Sequence, residues 1–437
     1  MPLREDYSMS YLKSDREGAQ LLDKKDKLAG FRKRFYVLPD TIYMDGNSLG
    51  LLSRDAEEAV CRVINQWKNL GINGWLDAQP RWYDYAEELG KRQSALVGAM
   101  SDEVIITSST TVNLHSLVGT FYHPFGKRKK ILADELNFPS DIYALKSYIE
   151  SRGGHPDKDM VLVKSRDGRF LKEEDIVKAM GEEIALILLP GVLYRSGQLL
   201  DIAYLAKKAH EKGIPIGFDC SHSVGAVPHY FDQWGVDFAF WCNYKYMNNG
   251  PGGVASLFIN KKHFSKKPAL AGWWGYRKDK QFEMSLNFEK ANHAGGWQIG
   301  TPHLLSMAPL EGSLNLFYEA GMDKIRKKSL QLTSYLIFLM NDMGLTGSPY
   351  DYTIGSPLEE KRRGGHVAVE HDDAGRINKA LKNRGIIPDF RFPNIIRFAP
   401  IALYNTFNDV WQVVHALRDI IDKKEHESFR YERDAVI

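Results

Sequence analysis

From about residue 100 the chain alternates short, nearly continuous apolar runs with amphipathic stretches long enough for a helix. The runs fall at 104–106, 131–133, 161–163, 184–189, 214–218, 238–242 and 254–259. Strands that are apolar on both faces belong to a sheet covered on both sides, which is the habit of parallel α/β sheets. The last two runs are separated only by a glycine-rich loop and are expected to pair antiparallel. Beyond about residue 310 the pattern changes. Leu332, Tyr335, Leu336, Leu339 and Met340 keep the i, i+3, i+4, i+7, i+8 spacing of a buried helix face. Residues 364–369, a helix over 373–384 and a run at 395–399 then read as a compact α+β unit. The expected organisation is a large α/β domain over 71–311, a smaller α+β domain over 312–437, and an N-terminal segment, 1–70, packed on the small domain. Within that segment, 1–40 reads as amphipathic helix and 41–50 as a short strand breaking into a turn.

The ends of two of these runs carry the chemistry. The run at 214–218 delivers Asp219, and the run at 238–242 delivers Lys245 into Gly250-Pro251-Gly252-Gly253. A lysine and an aspartate at neighbouring strand ends are what pyridoxal phosphate requires. The lysine forms a Schiff base with the cofactor aldehyde, and the aspartate holds the pyridine nitrogen protonated. Alone, Asp219 reads as a turn or cap residue and Lys245 as a surface lysine. Their pairing, beside a loop that lets backbone approach a ligand, favours the cofactor.

Other candidates have two readings each. Ser108-Ser109-Thr110-Thr111 follows a strand and opens a helix, which makes either a phosphate cradle or a plain cap. Phe138 before Ser140-Asp141 can stack on a flat ring or fill a core ahead of a capped helix. His222 lies near the Asp219 strand end, where it could also be an ordinary helix-start histidine. Arg397 sits in the apolar run Ile395-Ile396-Arg397-Phe398, where a guanidinium needs an anionic partner. That partner is a substrate carboxylate or a structural acid. His366, His371, Asp372 and Asp373 lie near one another in sequence but match no metal-ligand spacing.

Composition closes off other classes. The net charge of +3 leaves no nucleic-acid footprint, and the basic stretch 127–130 reads as solvated loop. Cys61, Cys220 and Cys242 are too scattered for a disulfide framework or a thiolate site, which fits a reducing cytoplasm. The charged start 1–6 lacks a signal-peptide pattern. The longest strongly apolar helical stretch, 335–340, is far short of the roughly 20 residues of a membrane span.

Taken together, several stretches spread over most of the chain resemble kynureninases, pyridoxal-phosphate enzymes of the aspartate-aminotransferase fold (fold type I). They include Tyr43-Met44-Asp45-Gly46-Asn47-Ser48-Leu49-Gly50, Phe138-Pro139-Ser140-Asp141, Gly217-Phe218-Asp219-Cys220-Ser221-His222, Trp241-Cys242-Asn243-Tyr244-Lys245-Tyr246, Gly272-Trp273-Trp274-Gly275 and Arg397-Phe398-Ala399-Pro400. The resemblance implies hydrolysis of L-kynurenine to anthranilate and L-alanine, in tryptophan catabolism or NAD biosynthesis. By position it makes Lys245 the Schiff-base lysine and proton carrier, Asp219 the pyridinium partner and Tyr244 a proton donor. Phe138 would cover the ring, and Thr110, Thr111 and Tyr244 would serve the phosphate. Ser140, Asp141 and His222 would line the cofactor. Trp273 and Thr301 match positions that reach the phosphate from the second subunit of a homodimer. Ser48, Trp75 and Arg397 fall at substrate positions, Arg397 on the α-carboxylate. Trp75 and Thr301 stand where vertebrate members carry His and Asn, as in the bacterial pattern. That difference favours L-kynurenine over its 3-hydroxy derivative.

Three rivals are weaker. A cysteine desulfurase needs a reactive cysteine late in the chain, and none follows Cys242. An aminotransferase fits the cofactor residues but not the Asn47-Ser48-Leu49-Gly50 or Arg397-Phe398-Ala399-Pro400 stretches. A catalytically idle binding protein would have no reason to keep Lys245, Asp219 and Arg397 together.

Overall fold

The apolar runs become strands because their side chains, almost all hydrophobic, can be shielded on both faces only inside a sheet. In the computed structural model, which describes residues 12–430, a short strand β1 (Ile42–Tyr43) comes first. There follow β2 (Val104–Ile106), β3 (Lys130–Asp134), β4 (Met160–Val163), β5 (Ile184–Pro190), β6 (Ile216–Asp219), β7 (Phe238–Trp241) and β8 (Ser256–Ile259). These seven form one sheet in the order β2-β8-β7-β6-β5-β3-β4. The strands from β7 to β4 pair parallel, and β8 runs antiparallel to both of its neighbours. The expected β7–β8 antiparallel pair is thus present. Both β5 and β7 are buried over their whole length. Helices such as Thr110–Phe121, Pro139–Ser151 and Ile202–Glu211 connect the strands.

The C-terminal part contributes β9 (Thr353–Ile354), β10 (Val367–Glu370), β11 (Ile386–Ile387), β12 (Asp389–Arg391) and β13 (Ile395–Phe398). Four of them make an antiparallel sheet in the order β12-β13-β10-β9, while β11 pairs parallel with β1. Its core gathers Leu332, Tyr335, Leu336, Leu339 and Met340 from the helix Met322–Asp342, the face given by their spacing. The register sets Arg397 of β13 opposite Asp389 on one side and Ala368 on the other. In an antiparallel sheet directly opposite residues share a face, so these side chains point the same way.

The cores depart from the expected boundaries at Ile401, Ala402, Leu403 and Tyr404, which belong to the large core; Ala19 and Met44 belong to the small one, the side expected of the N-terminal segment. The N-terminal segment is also divided rather than packed wholly on the small domain. Its residues 1–11 lie outside the described residues. Helix Arg16–Lys25 packs on the helix Phe407–Asp422, but helix Arg54–Leu70 packs on Leu304–Ala320, a helix whose Leu314 and Phe317 are in the large core. The reason is the small-residue face of Arg54–Leu70. Ala56, Ala59 and Val63 are buried, and Ala59 and Val63 meet Ala308. A Cβ added to Gly312 would lie 2.3 Å from the Asp55 backbone, so the two helices are closer there than any side chain allows. Gly312→Val is therefore expected to destabilise the protein by about 1–3 kcal/mol through overpacking. A lowered urea midpoint and melting temperature would register it.

Candidate active site

Ligands of open α/β sheets sit beyond the C-terminal strand ends, and the candidate residues meet there. Asp219 closes β6 beside Phe240 of β7, and Lys245 follows in the loop after β7. Lys245 Nζ lies 3.0 Å from Nε2 of His222. It also lies 5.9 Å from the Phe138 ring centroid and 6.0 Å from that of Tyr244. Burial, then the charge of Lys245, pushes the His222 pKa well below its ordinary value, so the imidazole is neutral and accepts from the lysine. Burial likewise raises the Tyr244 phenol, with Cys242 adding to the shift.

Asp219 accepts from the backbone N–H of Ser221 at 2.8 Å. Burial raises the pKa of both Asp219 and Asp141, and of Asp141 far more. A contact between the two carboxyls lowers Asp219 and raises Asp141. Of the two, Asp141 is therefore the more readily protonated and Asp219 the more readily ionised. Asp134, at the end of β3, is pushed by burial to about 7 and adds to the shift on Asp141.

Thr110 begins a helix whose N-cap, Ser109, makes no side-chain capping bond, so its first backbone N–H groups are unclaimed by a cap. Beside it the hydroxyls of Thr111 and Ser140 are 2.9 Å apart. Neither Ser140 nor Asp141 caps its own helix; Phe138 is the N-cap and Pro139 opens the first turn.

Arg397 is fully buried, and its partner is the structural acid. Asp389 accepts from its Nε and Nη2, the carbonyl of Tyr194 from Nη1 at 2.5 Å, and Ser48 Oγ lies 3.4 Å from Nη2. The turn carrying Ser48 is held against the lysine loop, because Gly50 donates to the Tyr244 carbonyl at 2.8 Å. A Cβ on Gly50 would come within 2.5 Å of the Lys245 carbonyl oxygen, so only glycine fits.

Three sequence candidates lie apart. Trp75 packs against Trp82 and Trp274, with ring centroids at 5.9 and 5.3 Å. Trp273 is 40% exposed and packs on Phe282, and Thr301 is exposed. Among the described residues none of the three has a hydrogen bond or ring contact with Lys245, Asp219 or Arg397.

Several buried side chains of these segments keep polar atoms without partners, among them Asp141 Oδ2, His222 Nδ1, Asp389 Oδ1, both ring nitrogens of His366 and both amide atoms of Asn47. Native interiors rarely leave such atoms unmet. A polar ligand would meet them. The residues fit pyridoxal phosphate: an amine for its aldehyde, a buried carboxyl pair for its ring nitrogen, and an uncapped helix start with two hydroxyls for its phosphate. Among the described residues no group of three His, Cys, Asp or Glu is placed to hold a metal ion, and no helix is long and apolar enough to cross a membrane.

Residues 325–417 match the family model described as the kynureninase C-terminal domain. A kynureninase of Geobacillus thermodenitrificans is 56% identical over 420 residues, covering 96% of this chain and 97% of that one. The chain belongs to the kynureninase family. A second kynureninase, from Bacillus anthracis, is 54% identical over 414 residues, covering 95% of this chain and 96% of its own length. Among solved structures, a cysteine desulfurase from Thermococcus onnurineus superposes with a TM-score of 0.77 at 17% identity, over 90% of this chain and 98% of that one. The Escherichia coli cysteine desulfurase CsdA superposes with a TM-score of 0.75 at 16% identity, over 91% and 99% of the two chains. That likeness is one of fold, and the fold is type I. In this member of the kynureninase family Cys220 and Cys242 are buried, and Cys61 is exposed in the N-terminal part.

Sequence reasoning missed Asp389 and Tyr194, and weighed His366 only as a metal ligand. A signal for Asp389 existed: it precedes Arg397 across Phe392-Pro393-Asn394, a turn that folds the two strands against each other. The Tyr194 carbonyl has no sequence signal, since any residue supplies one. Thr111→Val removes one hydroxyl of the phosphate side without changing the side chain's shape. It is expected to weaken cofactor binding by about 1 kcal/mol, roughly fivefold, in a titration of apoenzyme with pyridoxal phosphate.

Proposed function

We propose that this chain uses pyridoxal phosphate to hydrolyse L-kynurenine at its Cβ–Cγ bond, giving anthranilate and L-alanine. What carries the reading is Lys245 set between the Asp219–Asp141 pair and the buried Arg397, in a chain of the kynureninase family. When bound, pyridoxal phosphate supplies an electron sink beside the substrate α-carbon.

The chain's own residues do the rest. Lys245 anchors the cofactor and, once released by the substrate amine, takes the α-proton at Nζ. Neutral His222, 3.0 Å from that atom, holds the lysine in place. Asp219, whose pKa the contact with Asp141 lowers against burial, secures a protonated ring nitrogen. Arg397 receives the α-carboxylate, and Ser48 lines the substrate. Phe138 covers the ring face, and Thr110, Thr111 and Ser140 hold the phosphate side. Water adds its oxygen to the side-chain carbonyl carbon and the Cβ–Cγ bond breaks. The released carbon becomes the anthranilate carboxylate, and Cβ takes a proton to become the alanine methyl group. Tyr244, whose raised pKa keeps it protonated at neutral pH, donates a proton in these later steps.

The second half of the phosphate site is assigned to a second copy of the chain. Trp273 and Thr301 lie exposed, and Trp67, Ile72, Leu76, Phe282 and Leu286 are exposed in nearby segments. A homodimer with shared sites gives these residues a role. Trp75, in the same aromatic cluster, then lines the substrate ring together with Thr301, which favours L-kynurenine over 3-hydroxykynurenine. The reaction belongs to tryptophan catabolism or NAD biosynthesis in the cytoplasm.

Purified protein with pyridoxal phosphate and L-kynurenine should release fluorescent anthranilate and an equal amount of alanine, more slowly from 3-hydroxykynurenine, and Lys245→Ala should release none. Cofactor binding without any anthranilate would refute the hydrolase reading and keep the cofactor reading. Tyr244→Phe is expected to lower kcat by about 100-fold or more while changing the cofactor dissociation constant far less; unchanged turnover would remove Tyr244 from the proton path.

A further inference from the structure

His366 was singled out by its sequence neighbourhood and is used by none of the steps above. It stands one residue before β10, two before Ala368, which is opposite Arg397. Side chains two apart on a strand share a face, so His366 lies on the face of the small sheet that carries Arg397 and Asp389. Its ring is 0% exposed, and neither nitrogen has a hydrogen-bond partner. The ring centroid is 6.0 Å from that of His222, whose Nε2 faces Lys245. Gly197 makes room for it: a Cβ there would lie 3.1 Å from His366 Nε2. Burial, and then the charges of Arg397, Lys245 and Arg391, lower its pKa to about 3 against an opposing contribution from the Arg195 backbone, so the ring is neutral, with one donor and one acceptor.

Arg397 cannot satisfy a carboxylate alone. A guanidinium has five N–H groups and a carboxylate accepts at about four positions. The Nε and Nη2 groups of Arg397 are directed at Asp389, one Nη1 hydrogen at the Tyr194 carbonyl, and Nη2 also faces Ser48. Little more than one strong donor remains for a bound carboxylate, and its second oxygen needs another. We propose that His366 is a second carboxylate-binding residue of this site, donating a ring N–H to the oxygen of the substrate α-carboxylate that Arg397 leaves unsatisfied. The assignment rests on the site reading given above and adds to it a neutral donor.

The test uses holoenzyme and two probes that are bound without turnover, L-alanine and L-alaninamide. They share the α-amine and differ in the carboxylate. His366→Phe keeps a buried ring and removes the donor, whereas His366→Gln keeps an N–H. L-Alanine should bind His366→Phe about tenfold more weakly, with L-alaninamide affinity unchanged and the L-alanine affinity largely restored in His366→Gln. Cofactor absorbance titration reads all three. Alanine affinity within about twofold of wild type in His366→Phe, or an equal loss for both probes, would overturn the proposal. Because neither probe is cleaved, a protein that failed to hydrolyse kynurenine would still give a clear answer.

Discussion

The guanidinium of Arg397 must place its N–H groups with almost no access to water, and the rest of the site is arranged around that requirement. Asp389 meets it across β12 and β13, the Tyr194 carbonyl meets it from the loop after β5, and Ser48 approaches it from the N-terminal turn. One buried cation therefore ties together the small sheet, the large sheet and the segment that precedes both. Withdrawing either member of such a pair leaves an uncompensated charge, at about 3–5 kcal/mol. The same bonds aim the remaining donors of the arginine at the space in front of Lys245.

On the far side of that space the electrostatics take a different form. Next to Arg397, Arg391 is a second cation on Asp389, at 3.0 Å, while His222 and His366 are neutral, held so by burial. Asp141 and Asp219 are both raised by burial, Asp141 far more. In the proposed function the carboxyl pair serves the ring nitrogen and the arginine serves the carboxylate.

Much of this was legible in the chain. Seven apolar runs spaced by helical stretches specify a covered, mostly parallel sheet, and they are its seven strands. Lys245 and Asp219 could be paired because parallel neighbours bring their strand ends to one edge. The division of the N-terminal segment was not legible. Ala56, Ala59 and Gly312 look unremarkable in sequence, and only the close approach of two helices shows why small residues stand there. Trp273 and Thr301 were read as phosphate-side residues through the family resemblance; in a single chain they lie on the surface, away from Lys245.

The sequence by itself determined the sheet, the strand-end chemistry and the need of Arg397 for an anion, because each depends on local hydrophobic pattern or on the chemistry of one side chain. Tertiary structure alone decided which anion that is, which carboxyl of the aspartate pair burial raises more, and that His366 shares the arginine's face of the sheet with both nitrogens unmet. These follow from register and burial. Both are properties of segments far apart in the chain, and a pKa or a vacant hydrogen bond does not exist until those segments meet.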